Sequence, residues 1–162
     1  MLDDPLTAAY VAPERLDQLR RREPVIRTAL DRLAALDLPP SIVHGDLHLG
    51  NTLLRDGEPV FIDWTDACVG PAMVDLLTPH ETSDAQLKAL WREAYMEEWS
   101  TIVPRPALDE ALALNDIVLP LHHAVSYRSI LANIEPLERG DLAGALADLL
   151  GLLGGAVGAS GS

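Results

Sequence analysis

Six residues between positions 44 and 75 are of types that could carry chemistry. His44, Asp46, His48 and Asn51 fall within the stretch His44-Gly45-Asp46-Leu47-His48-Leu49-Gly50-Asn51, and Asp63 and Asp75 follow downstream. The chain holds five histidines in all, so two in eight positions is a concentration. One chemistry is metal binding. His44, Asp46 and His48 alternate, and on an extended strand they would share a face. Two imidazoles and a carboxylate suit Zn²⁺ or a similar ion. Gly45 and Gly50 favour a loop instead, and that reading leaves Asn51 and Asp63 without a role. The second chemistry is phosphoryl transfer, which needs a carboxylate to take the acceptor proton and hard oxygen ligands for Mg²⁺. Asp46 supplies the base, and Asn51 and Asp63 the ligands. Any one of these residues alone could simply satisfy a tight turn. The set, with its spacing, points to phosphoryl transfer.

The elements around the motif must bring these groups together. Thr52-Leu53-Leu54-Arg55 and Pro59-Val60-Phe61-Ile62 flank Asp56-Gly57, a strong hairpin signal because both turn residues tolerate positive φ. That hairpin would return Asp63 to the loop. Ser41-Ile42-Val43 is a short apolar approach. Elsewhere the pattern is helical: 13–37, with Pro24 expected to split it and Pro39-Pro40 to end it. Next come a helix capped by Ser83 with Leu87, Leu90, Trp91 and Ala94 on one face, a long apolar stretch over 106–134 kinked at Pro120, and a last helix over 141–153. The predicted fold class is mainly α with a small β-hairpin. The predicted organisation is a helical lead-in over 1–40, the catalytic loop and hairpin over 41–80, a helical substrate-side subdomain over 81–155 and a flexible tail over 156–162.

The motif, followed by Phe61-Ile62-Asp63-Trp64 and Gly70-Pro71-Ala72-Met73-Val74-Asp75-Leu76-Leu77, resembles the aminoglycoside phosphotransferase and choline kinase-like family, which has a protein-kinase-like fold. The match is close over roughly residues 40–80 and looser over the helical remainder. The resemblance implies the helical C-terminal lobe of that α+β fold, ATP as phosphoryl donor and Mg²⁺ as cofactor. It implies that Asp46 is the catalytic base and that Asn51 and Asp63 bind Mg²⁺ with the ATP phosphates. His44 and His48 would support the loop, Asp75 would hydrogen-bond its backbone, and the Trp64 ring would pack. Leu49 stands where the family often has Pro, and Val74 where an aromatic is common; neither change removes a reacting group.

Only 43 residues precede His44, and they read as helical. The family's N-terminal lobe, with its phosphate-binding lysine, is expected to be absent. Lys88 is the sole lysine and falls in an amphipathic helix, and the glycines from Gly151 onward lack the strand and Lys-Ser/Thr of a phosphate loop. The chain alone is therefore expected to bind nucleotide weakly and to transfer phosphate poorly, and to expose apolar surface suited to homodimerisation. The formal net charge of −13 argues against nucleic-acid or anionic-membrane partners. It is compatible with a small, cationic hydroxyl substrate, for which Glu81, Asp84, Glu93, Glu97 and Glu98 could contribute; a solvated helix face is the plainer role for each. His122, His123, Tyr127 and Arg128 read as structural. No apolar run approaches the ~20 residues of a membrane span, no secretory signal opens the chain, and the single Cys68 suits a reducing, cytoplasmic setting. A truncated non-catalytic binding module and a His/Asp metal-site hydrolase remain open as alternatives.

Overall fold

The structure is a computed structural model and describes residues 1–76 and 82–159. Its elements are, in order, α1 (Pro5–Tyr10), α2 (Pro13–Ala35), β1 (Ser41–Val43), β2 (Thr52–Arg55), β3 (Glu58–Phe61), β4 (Cys68–Gly70), α3 (Ala85–Trp99), α4 (Arg105–Asn133) and α5 (Gly140–Ala159). The chain divides into two compact units. One comprises residues 1–32 and 116–162, the other residues 33–115.

The first unit is helical. Leu16, Leu19, Ile26 and Ala29 of α2 are buried, as are Leu146, Leu150, Leu153 and Val157 of α5. The spacing of both sets is that of one helical face. Asp4 caps α1 by accepting from the Leu6 amide at 3.3 Å, and its carboxylate also receives Arg128 Nε. His123 is 1% exposed and edge-on to His122. Two sequence expectations change here. Pro24 lies inside a continuous α2 and does not split it, while Pro120 lies inside the long helix α4 where the sequence put it. The last helix starts at Gly140 and runs to Ala159, so most of the expected tail is ordered: its apolar residues pack, and packing outweighs the poor propensity of its glycines. By length and composition α5 is also long and apolar enough to cross a membrane, although Asp141 and Asp148 interrupt the run and its buried face packs within this unit.

The second unit carries the chemistry-bearing residues. β2 and β3 pair antiparallel, with Thr52 opposite Phe61 and Arg55 opposite Glu58. Asp56 (φ 55°) and Gly57 (φ 87°) both take positive φ, as a type I′ hairpin turn requires. The structure adds a second pair that the sequence did not announce. β1 runs antiparallel to β4, with Val43 opposite Cys68 and Ser41 opposite Gly70. Helix α3 is capped by Asp84, whose Oδ1 accepts from Gln86 N at 2.9 Å and Leu87 N at 3.0 Å; the cap is therefore one residue later than Ser83. The buried residues include Val43, Met73, Val74, Leu76 and Met96.

Candidate functional site: a clamped loop beside the hairpin

The 44–51 segment is a loop, and its shape follows from Gly45. That residue sits at φ 84°, and a Cβ there would lie 2.2 Å from the Asp66 carbonyl oxygen. Only glycine accommodates both the positive φ and this approach. Gly45→Ala is expected to destabilise the protein by more than about 2 kcal/mol, the combined scale of αL strain and overpacking. A urea midpoint within error of wild type would contradict this role.

Asp75 holds the loop from outside. Its Oδ2 accepts from the His44 amide at 2.8 Å and its Oδ1 from the Gly45 amide at 3.0 Å. Both donors belong to buried residues, so the two charge-assisted bonds satisfy groups that would otherwise be orphaned. The turn Ala72–Asp75 is itself fixed by Asn115, which is 6% exposed and donates through Nδ2 to the Met73 carbonyl at 3.0 Å. Sequence reasoning missed Asn115. Little in the sequence signals it, since it is one of two asparagines among several polar residues of that helical stretch.

The histidines are consumed by the scaffold. His44 is 2% exposed. Its Nε2 lies 2.8 Å from the Ile62 carbonyl, and its Nδ1 accepts from the Asp46 amide at 3.4 Å. The carbonyl demands a donor and the amide an acceptor, so the partners place the proton on Nε2. The ring also packs against Trp64, with centroids 4.6 Å apart. His48 Nδ1 accepts from Gly50 N at 3.0 Å, and its Nε2 faces Asp46 Oδ2 at 3.5 Å. The metal-site alternative built on His44, Asp46 and His48 fails on this geometry. Gly45 breaks the strand that would align the three, and both nitrogens of His44 are already engaged. Among the described residues no cluster of three or more His, Cys, Asp or Glu side chains is arranged to hold a metal.

Asp46 and Asn51 come together. Asn51 Nδ2 donates to the Asp46 carbonyl at 3.0 Å and to Asp46 Oδ2 at 3.2 Å. An amide oxygen facing a carboxylate would be repelled, so the orientation is fixed by chemistry and leaves Asn51 Oδ1 as the group's remaining acceptor. Asp46 Oδ1 is buried with no hydrogen-bond partner in the structure, an uncommon state for a carboxylate oxygen. The hairpin delivers Asp63 to the same neighbourhood: the Ile62 amide donates to the Asn51 carbonyl at 3.0 Å, extending the β2–β3 ladder by one pair. Asp63 is exposed and strained, at φ 60° and ψ 64°, and its Oδ1 accepts from Thr65 Oγ1 at 2.7 Å. A non-glycine residue held in the left-handed region is often found where function sets the backbone.

A cavity of about 370 Å³ adjoins the loop, lined by Leu47, His48 and Leu49 on the loop side and by Trp91, Ala94 and Tyr95 of α3 opposite, among others. Burial pushes the Tyr95 phenol above its ordinary value, and the Asp75 charge pushes it in the same direction. The sign follows. A tyrosine whose folded pKa is raised holds its proton after the unfolded chain has lost it, so stability falls as pH rises beyond about 10. Tyr95→Phe is expected to flatten that alkaline decline in urea unfolding compared between pH 9 and pH 11; an unchanged slope would count against it. Of the acidic residues considered for substrate, Glu93 is turned toward Arg105 by two contacts of 2.9 Å, Asp84 caps α3, and Glu97 and Glu98 are exposed. Glu81 lies outside the described residues.

A mainly helical chain in which an aspartate clamp locks a glycine-shaped loop against a short hairpin is the class of protein these observations define. The sequence model of the phosphotransferase enzyme family, APH, matches residues 2–114, and the chain belongs to that family, the aminoglycoside phosphotransferase and choline kinase-like group that the motifs resemble. No curated protein and no solved structure matches the chain.

Proposed function

We propose that this chain is the helical, acceptor-side lobe of an ATP- and Mg²⁺-dependent phosphotransferase of protein-kinase-like fold, which phosphorylates a hydroxyl of a small molecule. One observation carries the reading. Asp46 and Asn51 are hydrogen-bonded to each other, and the Ile62–Asn51 ladder bond brings the backbone next to Asp63 alongside them, although the three span eighteen residues of sequence. The donor set fits a hard cation. Asn51 Oδ1 and the Asp63 carboxylate are oxygen ligands of the kind Mg²⁺ takes, and Mg²⁺ so held would neutralise charge on the ATP phosphates. The remaining work belongs to the chain. Asp46 is positioned by Asn51 and takes the proton from the acceptor hydroxyl. The Asp75 clamp keeps that carboxylate in place, since catalysis of this type is mostly positioning.

Asp46, Asn51 and Asp63 alone do not hold adenine or the α- and β-phosphates. The outward faces of both strand pairs are apolar, with Ile42 74% and its partner Val69 73% exposed, and Leu54 78% exposed. Such a surface suits a covering element, and a phosphate-binding lobe is the one this function calls for. Alone, the chain is expected to respond to nucleotide without efficient turnover, and copies are expected to pair through the same apolar faces; a monomer at high concentration would contradict the pairing. The experiment for the function itself is a thermal melt. Millimolar Mg²⁺·ATP is expected to raise the melting temperature, and ATP with EDTA is not. Equal shifts with and without Mg²⁺, or Zn²⁺ retained through dialysis with no nucleotide response, would overturn the reading.

A further inference from the structure

We propose that the acceptor of this phosphotransferase carries an uncharged, largely apolar body, such as an aromatic or branched alcohol, and that this body is seated in the cavity between the 47–49 segment and helix α3. The inference rests on the phosphotransferase reading and specifies its substrate class. The cavity, about 370 Å³, lies within the usual range of small-ligand sites. Its wall begins at Leu47, the residue after the base, and includes His48, whose Nε2 is 3.5 Å from Asp46 Oδ2. A ligand in it is therefore held against the segment that carries Asp46.

The chemistry of the wall selects against a polycation. Leu47, Leu49, Leu76, Phe61, Trp91 and Ala94 present apolar surface. The polar groups are mostly spent. Thr52 Oγ1 donates to the His48 carbonyl at 3.2 Å. Asp75 is the only carboxylate on the wall among the described residues, and both its oxygens accept from backbone amides. A ligand ammonium buried there would lose its water without gaining a free carboxylate, an uncompensated cost. Glu93 is held by Arg105 instead. The chain's overall negative charge therefore does not describe this site. What remains among the described residues is a wall of aliphatic and aromatic side chains with two neutral polar groups, the Tyr95 phenol on α3 and one imidazole N–H at the end nearest the base. That arrangement suits a hydroxyl carried on an apolar skeleton.

The test is a nucleotide-free titration of the full chain with 2-(1-naphthyl)ethanol and, separately, with kanamycin, followed by saturation-transfer NMR and by melting temperature. Saturable binding of the alcohol is expected, at least about tenfold tighter than kanamycin, a difference of about 1.4 kcal/mol. Ala94→Trp fills the cavity from an exposed helix position and is expected to weaken that binding at least about tenfold while the melting temperature stays near wild type. Leu49→Glu, at an exposed wall position, is expected to weaken it too and serves should the tryptophan variant fold poorly. Preference for kanamycin, or alcohol binding that survives both substitutions, overturns the inference. The two readings fail separately. Alcohol binding in a chain blind to Mg²⁺·ATP contradicts the phosphotransferase function and keeps the apolar site. A Mg²⁺·ATP response with a kanamycin preference does the reverse.

Discussion

Asp75→Ala is expected to lower the unfolding free energy by about 3 kcal/mol, the largest effect of any single side chain on the loop. The substitution removes both acceptors of the His44 and Gly45 amides. An orphaned buried donor costs about 1–3 kcal/mol, and two are orphaned together. The loss is also local. His44 would no longer be anchored at its backbone, and its ring spans Ile62 and Asp46, so the hairpin and the base would both lose a support. Urea unfolding measures the free energy, and hydrogen exchange at the His44 and Gly45 amides gives the local readout. Asp75→Asn retains one acceptor oxygen and is expected to cost less than alanine. A change below about 0.5 kcal/mol for Asp75→Ala would mean that the clamp is not a determinant of the loop, since surface substitutions alone reach that size.

Asp63→Gly is expected to separate stability from function. Glycine keeps the left-handed backbone that Asp63 occupies at φ 60°, which alanine would strain further. The relief of strain and the loss of the Thr65 bond oppose each other, so net stability is expected to change by less than about 1 kcal/mol. The carboxylate is nevertheless gone. Affinity for Mg²⁺·ATP, read by calorimetry or by the melting shift, is expected to fall at least about tenfold. Asp46→Asn serves as the contrast. It removes the proposed base while leaving Asn51 an oxygen to donate to, and is expected to keep nucleotide affinity within about threefold, an energy below 1 kcal/mol. Equal losses in the two variants would place Asp46 among the metal ligands. No loss in Asp63→Gly would remove Asp63 from the site.

The parts of the site that were legible in the sequence were those written in local chemistry. Asp56-Gly57 announced a hairpin because few other dipeptides accept two positive φ angles, and the hairpin's length then fixed where Asp63 arrives. The pairing of Ser41–Val43 with Cys68–Gly70 was not legible, since three-residue strands carry no periodicity and their partnership is made by tertiary structure. Pro24 misled for a related reason. A proline in a helix removes one hydrogen bond, and packing along Leu16, Leu19 and Ile26 outweighs that loss. The histidines were open to a ligand reading by type, but the supporting role is the one consistent with their bonds: His44 to the Ile62 carbonyl and the Asp46 amide, and His48 to the Gly50 amide. Asn115 and the cavity against α3 come from contacts between segments far apart in the chain, and no motif encodes them.

The central claim is that Asn51 and Asp63 hold a divalent cation with nucleotide beside Asp46. Mn²⁺, a paramagnetic stand-in for Mg²⁺, reports this directly when titrated with ATP into ¹⁵N-labelled chain. Line broadening is predicted to begin at the amides of Asn51 and Asp63 and to spread next to Asp46, and to be lost in Asp63→Gly. Broadening that begins elsewhere, for instance at His122 and His123, or that persists unchanged in Asp63→Gly, would contradict the account.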